Sequence, residues 1–498
     1  MNHNRTPLPL PSLPSLHKAS LVAGALLIAL SAISVQAFCG FYVGKADSKL
    51  FNKASKVVIA RDGDTTVLTM ANDYQGDLKE FAAVFPVPVV PKEHDIKVVP
   101  NKIIDKLDAY SAPRIVEYHD PDPCRPQVYR RAAMRSAPLA MAAPVSKSKA
   151  PVVKIEAQYS VEEYDILILS SEDSKGLESW LTQEGYKVPA GASKVLGSYI
   201  KQNMKFFVAK VNLDEQATLG YTTLRPLQVR YESKKFALPI RLGTVNAAAD
   251  QEILAFMLSP DGRVECTNYK TEKLPTGMDL PQFVRSEFKD FYRDMFYYQV
   301  AKAKKKAVFM EYGWDMGWCD PCAGDPLTPS EQLTLGCTWI KAGPGKVGAS
   351  AKAKESEYRV QSGDTVFSIA RKKNVSMQQL RARNSLAASR IFTGQTLVVP
   401  SADYKPVFSV PRPTYVTRLH AVYNAETFPE DLVFQATSDK KNFQGRYVLK
   451  TPWKGKADAC PAAKTYLETL QKLKGQRVDN LVELTGWDLA ECRKKAGL

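Results

Sequence analysis

The 498-residue sequence lacks the short motifs by which several large enzyme classes are recognised. It contains no HExxH motif, no GxSxG motif and no Gly-rich phosphate loop. The SxxK pattern recurs without an accompanying SDN or KTG motif, for example at Ser146, Ser198 and Ser286. Gly336-Cys337 lacks the preceding His of an L,D-transpeptidase signature. Since no catalytic set is recognisable, we expect a binding protein more readily than an enzyme, with no cofactor and no metal site.

Long apolar runs are scarce as well. Only residues 21–35 are almost wholly apolar, and about 15 residues are short for a membrane span of about 20. Together with the basic, acid-free segment before it and the small residues after it, this run predicts a secretory signal over residues 1–37, cleaved after Ala37. An uncleaved anchor is the alternative. Cys39 does not directly follow the cleavage point, so no lipobox is present. We therefore expect an exported protein of the periplasm or cell envelope.

Acidic residues are fewer than basic ones. Lys and Arg number 68 against 52 Asp and Glu, which gives a formal net charge of +16. Removal of Arg5 and Lys18 with the signal leaves about +14. This excess favours anionic partners, and export excludes nucleic acid, so anionic envelope polymers are expected partners. Solubility alone is the competing explanation of the charge.

Strand-like and helix-like patterns together predict an α+β fold with a β-rich main domain. Residues 57–74 form a predicted hairpin around a turn at 61–64. A core-facing stripe with alternating spacings of four and three predicts a helix over 280–306, carried by Val284, Phe288, Phe291 and Met295. The oligomeric state is not readable. The predicted organisation is a main domain at 38–340 with a flexible insertion at 125–151, a linker at 341–356, a compact module at 357–400, a continuation of the main domain at 401–455, and a C-terminal helical hairpin at 456–498.

All eight cysteines follow the predicted signal, and an even number in an exported chain favours disulfides. Cys460 and Cys492 lie near the far ends of the two C-terminal helix patterns, which suggests that they clasp this hairpin. Trp318-Cys319-Asp320-Pro321-Cys322 has the WCxPC form of thioredoxin-like sites, yet prolines interrupt any helix directly after it. We favour structural disulfides with Cys337 as a third partner. Thiol–disulfide exchange at Cys319 and Cys322 is the alternative, and a metal site is a weaker one.

A second group of polar residues, His119-Asp120 with Asp122 and Cys124, is interrupted by prolines and is interpreted as an exposed turn. His94 and His420 have no sequence-local partner.

Local sequence signals predict the secondary structure of the module at 357–400. Tyr358–Gln361 predicts a strand, Asp364 an N-cap for a helix from Thr365, Ser376 a capping box for a second helix, and 396–399 a closing strand. Strand–helix–helix–strand in about 44 residues is small for a free-standing core.

This segment resembles a LysM domain over its full length. The landmarks are YRVQSGDT, the SIA step of the first helix, the Asn384-Ser385-Leu386 turn and GQTLVVP. The resemblance implies binding of N-acetylglucosamine polymers, peptidoglycan glycan strands above all. It places the groove between two loops, whose members are Gly363, Asp364, Thr365, Val366, Ser389, Arg390, Ile391 and Phe392. Val366 stands where the family often has Leu. Seven Lys and Arg against Glu357 and Asp364 give the unit a net charge of about +5, which adds attraction to anionic wall material.

The flanking regions resemble a bacterial family known as domain of unknown function 2330. The stretches that carry the resemblance are FAAVFPVP, YDILILS with WLTQEGY, WCDPC, TRLHAVY and EDLVFQA. The resemblance implies one domain over about 38–340 that resumes at about 401–455, with the LysM-like module inserted. It implies no activity.

Overall fold

The fold is seen in a computed structural model. It describes residues 41–44, 51–75, 81–125, 154–188, 191–212, 215, 224–245, 250–318, 320–321, 323–341, 343–344, 356–375, 377–384, 386, 391–399, 408–409 and 411–498. The predicted signal, most of the 125–151 insertion, most of the 341–356 linker, and the individual residues Cys319, Cys322, Ser376, Ser389 and Arg390 lie outside this part of the chain.

Two sheets form the centre of the main domain. The larger has nine strands in the order β14-β16-β21-β12-β2-β3-β10-β5, with β23 beside β16. Its strands are β2 Phe51–Asp62, β3 Thr65–Gln75, β5 Ile96–Val98, β10 Leu227–Glu232, β12 Gln251–Ser259, β14 Lys270–Lys273, β16 Ala307–Asp315, β21 Tyr415–Tyr423 and β23 Phe443–Gln444. The smaller has the order β1-β4-β9-β8-β7, from β1 Phe41–Gly44, β4 Phe81–Val87, β7 Lys154–Val161, β8 Tyr164–Ser170 and β9 Lys205–Val211.

Short sheets and helices surround these two. Three-stranded sheets join β11 Ala237–Leu238, β22 Leu432–Ala436 and β13 Val264–Cys266, and also β15 Asp279–Leu280, β24 Arg446–Thr451 and β6 Arg114–His119. Two pairs complete the strands: β17 Gly343–Pro344 with β20 Phe408–Ser409, and β18 Ser356–Arg359 with β19 Thr396–Val399. The helices are α1 Asn101–Ser111, α2 Ser174–Gln183, α3 Ala192–Ile200, α4 Phe288–Lys302, α5 Pro329–Thr334, α6 Val366–Lys372, α7 Met377–Arg383, α8 Pro461–Thr485 and α9 Leu489–Ala496.

Alternation along the strands explains why the two sheets pack face to face. In β8, Ile166 and Ile168 belong to a core shared with the nine-stranded sheet, whereas Leu167 and Leu169 pack with α2 and α3. Successive side chains of a strand point to opposite faces of the sheet, so β8 has both of its faces buried. The far face of the large sheet is covered by α1, α4 and α8 through separate clusters. The main domain is therefore mixed α and β with sheets dominant, and the coarse α+β prediction is confirmed.

The hairpin predicted over 57–74 is confirmed. Strands β2 and β3 pair antiparallel, with Asp62 opposite Thr65, and Gly63 turns the chain at a φ of +56°. The helix predicted over 280–306 is shorter than expected. A 3-10 turn spans Gln282–Arg285 and α4 begins only at Phe288, because the chain breaks from helical geometry at Glu287.

The predicted clasp between Cys460 and Cys492 is wrong. Cys460 instead forms a disulfide with Cys124, with their Cα atoms 5.9 Å apart. Helix α8 has 25 residues and so spans about 37 Å, which carries Cys460 far from the turn that precedes α9. A disulfide needs Cα atoms within about 7 Å. Within the described residues, Cys492 is a buried free thiol, as are Cys266 and Cys337, so the expected pairing of Cys337 is also wrong.

Candidate functional site

Residues 356–399 fold as strand, helix, helix and strand, with an apolar core of their own. Strands β18 and β19 pair antiparallel, with Tyr358 opposite Leu397. The Asn384 side chain fixes the second helix to the closing strand. Its amide donates to the carbonyl oxygens of Leu380 (2.8 Å) and Val398 (2.7 Å), and its oxygen accepts from the Val398 N–H (2.7 Å). This reciprocal bonding is a physical reason for Asn at this turn.

Backbone hydrogen bonds hold the two predicted groove loops side by side. The Val360 N–H donates to Gln395 O, and the Gly394 N–H donates to Val360 O, both at 2.8 Å. The loop after β18 and the loop before β19 therefore meet at one end of the module. Gly363, with a φ of +84°, belongs to the first loop and exposed Phe392 to the second. Ser389 and Arg390 lie outside the described residues.

Asp364 stabilises the first loop and does not cap the helix. Its Oδ2 accepts from the Gln361 N–H and from the Tyr358 hydroxyl, both at 2.8 Å. The Gln361 N–H is the main reason why the pKa of Asp364 lies below its ordinary value. The N-cap is Thr365, because Thr365 and Ser368 bond reciprocally through side chain and backbone. The prediction of Asp364 as N-cap is corrected by one residue.

The apolar contact surface of this end differs from the expected one. Val366 is only 1 % exposed and packs in the module core, so its side chain is not available to cover an acetyl methyl group. Ile391 also packs against that core. Phe367 and Phe392 are instead 60 % and 66 % exposed. Phe367 is not among the predicted groove residues, although a Phe directly after a buried helix-start position is a signal that could have identified it.

A second polar cluster lies in the main domain, buried against the large sheet. Glu311 on β16 is inaccessible to solvent and accepts from Arg418 Nε and His420 Nδ1, each at 2.5 Å, and from the Tyr292 hydroxyl. The His420 Nε2 contacts Glu252 at 2.8 Å, and Arg418 also pairs with Asp108.

These groups set each other's charge state. Although burial opposes it, the carboxylates of Glu311 and Glu252 raise the pKa of His420 to about 9. The cations His420 and Arg418 likewise overcome burial and lower the pKa of Glu311 to about 2.

Aromatic rings cover the two cations at the centre of the cluster. The Phe296 ring stacks on His420 at 3.7 Å, and the Arg418 guanidinium lies over Phe256 at 5.2 Å. The outer carboxylates Glu252 and Asp108 keep exposed side-chain surface, 17 % and 22 %, and we interpret the buried centre of this network as a structural element. His420 has no partner nearby in the sequence, as expected, but the fold gives it two partners from distant parts of the chain.

The WCxPC stretch follows β16, and its two cysteines lie outside the described residues. Between them, Asp320 is buried and accepts from Tyr312 and Gln444, each at 2.8 Å. Residues 323–328 are not helical, and α5 begins only at Pro329. A thioredoxin-like site needs its first thiol at the start of a helix. Because this helix is missing, we do not propose thiol exchange at Cys319 and Cys322.

The turn after β6 has structural partners. Asp120 accepts from the Tyr466 hydroxyl at 2.8 Å, Asp122 accepts from the Cys124 N–H at 2.9 Å, and Cys124 is disulfide-bonded. Across the described part of the chain, no group of three or more His, Cys, Asp or Glu residues is arranged to hold a metal ion. The helices described there include none that is both long and apolar enough to cross a membrane.

Comparison with known proteins gives one match. No curated protein and no solved structure matches the chain. A family model described as "Uncharacterized protein conserved in bacteria (DUF2330)" matches residues 33–435. That range includes the module at 357–400, the five-stranded sheet and every strand of the nine-stranded sheet except β23, and it ends before β24 and the C-terminal helices. Since the match covers most of the 498 residues, the chain belongs to the DUF2330 family of bacterial proteins.

Proposed function

We propose that this chain is an exported, non-catalytic envelope protein that binds the N-acetylglucosamine polymers of peptidoglycan through a LysM-type module at residues 357–400. The observation that carries the proposal is the meeting of the two loops, tied by the backbone bonds of Val360 to Gly394 and Gln395. A LysM groove requires two loops at one end of a strand–helix–helix–strand unit. Residues 356–399 have that element order and that loop contact.

Exposed aromatic side chains at this end support the proposal. Phe367 and Phe392 present apolar surface to solvent in a unit whose other large apolar side chains are mostly in its core. Exposed apolar groups beside fixed polar ones are typical of binding sites. In the proposed complex the two rings cover the acetyl methyl groups, and backbone amides of the loops bond the acetyl carbonyls.

The charge of the module favours the same ligand. The last turn of α6 carries Arg371 and Lys372, and that of α7 carries Arg381 and Arg383. These cations increase attraction to wall material, which carries carboxylates and phosphates. The predicted signal at 1–37 would deliver the chain to the compartment where such material occurs.

Sedimentation with purified peptidoglycan sacculi tests the proposal. The mature chain should pellet with sacculi, and Phe392→Ala should weaken binding by roughly tenfold, because truncating an interface aromatic commonly removes more than 1 kcal/mol. Tyr118→Ala is the matched control. Tyr118 is an exposed aromatic on β6, outside the module, and its loss should leave binding unchanged.

Two results would contradict the proposal. One is a mature chain that stays in the supernatant while an established LysM protein pellets. The other is equal binding by Phe392→Ala and the wild-type chain, which would show that the glycan does not bind at the proposed groove. Release of soluble muropeptides during the assay would show a hydrolase and refute the non-catalytic part.

A further inference from the structure

A separate cavity lies where the 3-10 turn Gln282–Arg285 meets the two C-terminal helices. Its volume is about 160 Å³. Since about 10–15 Å³ of such space holds one water molecule, the cavity has room for a small molecule. The lining residues are Pro281, Gln282, Phe283, Pro452, Lys474, Arg477, Lys495 and Ala496.

Two hydrogen-bond donors in the wall lack a protein acceptor. Arg477 is only 4 % exposed, and its buried Nε has no hydrogen-bond partner among the described residues. The Gln282 Nε2 is also buried and has no hydrogen-bond partner among the described residues. The Gln282 Oε1 accepts a hydrogen bond from Arg285 at 3.2 Å. Because this bond holds the amide oxygen, the amide nitrogen is the atom that remains available to donate to a ligand. An unsatisfied buried charged donor costs free energy that an acceptor would recover.

The lining is cationic and contains no carboxylate. Lys474 precedes Arg477 by three residues on α8, so the two share one face of the helix. Lys495 on α9 adds a third cation, but it is held by Glu287 at 3.0 Å and lies over the Phe283 ring. Most other lining residues are apolar, which lowers the local dielectric and strengthens any charge interaction there.

We propose that this cavity binds a small oxyanion, a phosphate or carboxylate group, through Arg477, Lys474 and the Gln282 amide. The charged oxygens of an oxyanion are hydrogen-bond acceptors, whereas the unpaired atoms of the lining residues Arg477 and Gln282 are donors. The planar guanidinium of Arg suits such groups because it donates two parallel hydrogen bonds. The site is independent of the module at 357–400 and does not require that module to bind glycan.

Calorimetric titration of the mature chain with sodium phosphate and with sodium acetate, at matched ionic strength in chloride, tests the site. At least one of the two should bind with a saturable heat. Lys474→Gln should weaken that binding by roughly tenfold, in keeping with the loss of a charged hydrogen-bond partner. Lys472→Gln is the matched control. Lys472 is an exposed cation on the same helix, two residues away and outside the lining, so the net charge changes equally.

A second variant separates binding from folding. Arg477→Met should abolish the ligand heat yet unfold at the same or a higher temperature than the wild-type chain without ligand, because it removes an unpaired buried cation. A purely structural Arg477 would instead make this variant less stable. No saturable heat with either anion, or equal weakening by Lys472→Gln and Lys474→Gln, would overturn the proposal.

Discussion

Replacing Glu311 with Gln removes one negative charge from the centre of the buried network while keeping its volume. In the native chain both carboxylate oxygens accept hydrogen bonds, one from Arg418 and the other from His420 and Tyr292. A Gln amide has one acceptor oxygen and one donor nitrogen. The nitrogen must therefore face a donor, whichever way the amide is turned.

The structure sets the size of the effect. Arg418 keeps Asp108 and His420 keeps Glu252, so neither cation loses every partner. Nevertheless Glu311 is fully buried, and breaking one side of a buried pair typically costs about 3–5 kcal/mol. Glu117→Gln is the matched control, because Glu117 pairs with Arg285 at 2.6 Å in a contact where both side chains are about half exposed. An exposed pair of this kind contributes about 0–1 kcal/mol.

Urea unfolding followed by tryptophan fluorescence measures both variants. All six Trp lie outside residues 357–400, so the signal reports the main domain and the C-terminal helices and not the module. At pH 7 the Glu311→Gln midpoint should fall far below that of Glu117→Gln with the slope unchanged. Equal midpoints for the two variants would refute the view that the network stabilises the fold.

Two further predictions concern the pH dependence and the disulfide. Because the pKa of His420 is raised to about 9 from an ordinary 6.5, its contribution to stability is complete below pH 6.5 and is lost as the pH rises through 9. The urea midpoint should fall over this pH window, and the fall should be smaller in His420→Gln. If the midpoint depends on pH equally in the variant and the wild-type chain, the ion pairs of His420 do not cause the fall. Non-reducing peptide mapping should recover a Cys124–Cys460 link, and Cys124→Ser should cost about 2–4 kcal/mol of unfolding free energy. A Cys460–Cys492 peptide would contradict the structure.

Local sequence patterns predicted much of the secondary structure. Alternation and a turn signal predicted the β2–β3 hairpin, and the apolar spacing predicted all of α4 but began the helix eight residues too early. The pattern over 252–269 also predicts a hairpin, turned at Pro260-Asp261-Gly262, and this prediction is wrong because β12 and β13 do not pair with each other. Strand β13 pairs with β22 and not with β12. Just before β13, the Arg263 N–H donates to Asp439 O at 2.8 Å, which holds the chain beside the segment that follows β22. Which strand becomes the partner is a tertiary choice that no local pattern encodes.

The candidate sites divide in the same way. The groove loops could be placed from sequence because both belong to one 44-residue unit with fixed offsets. The exposure of individual side chains could not be predicted: Val366, expected at the groove, is buried, and its neighbour Phe367 is exposed. The cavity at Arg477 had no sequence signal, since its walls come from a turn near 282 and helices beyond 460.

The sequence by itself determined the order of elements in the module, the charge of the chain and the mixed α and β class, and it predicts an export signal. These depend on composition and on spacings within a few dozen residues. Only the tertiary structure decided that Cys124 meets Cys460 and that His420 meets Glu311 and Glu252. The physical reason is that sheet order brings together residues more than a hundred positions apart, and the free energy of their contact depends on burial, which exists only after the sheets have packed.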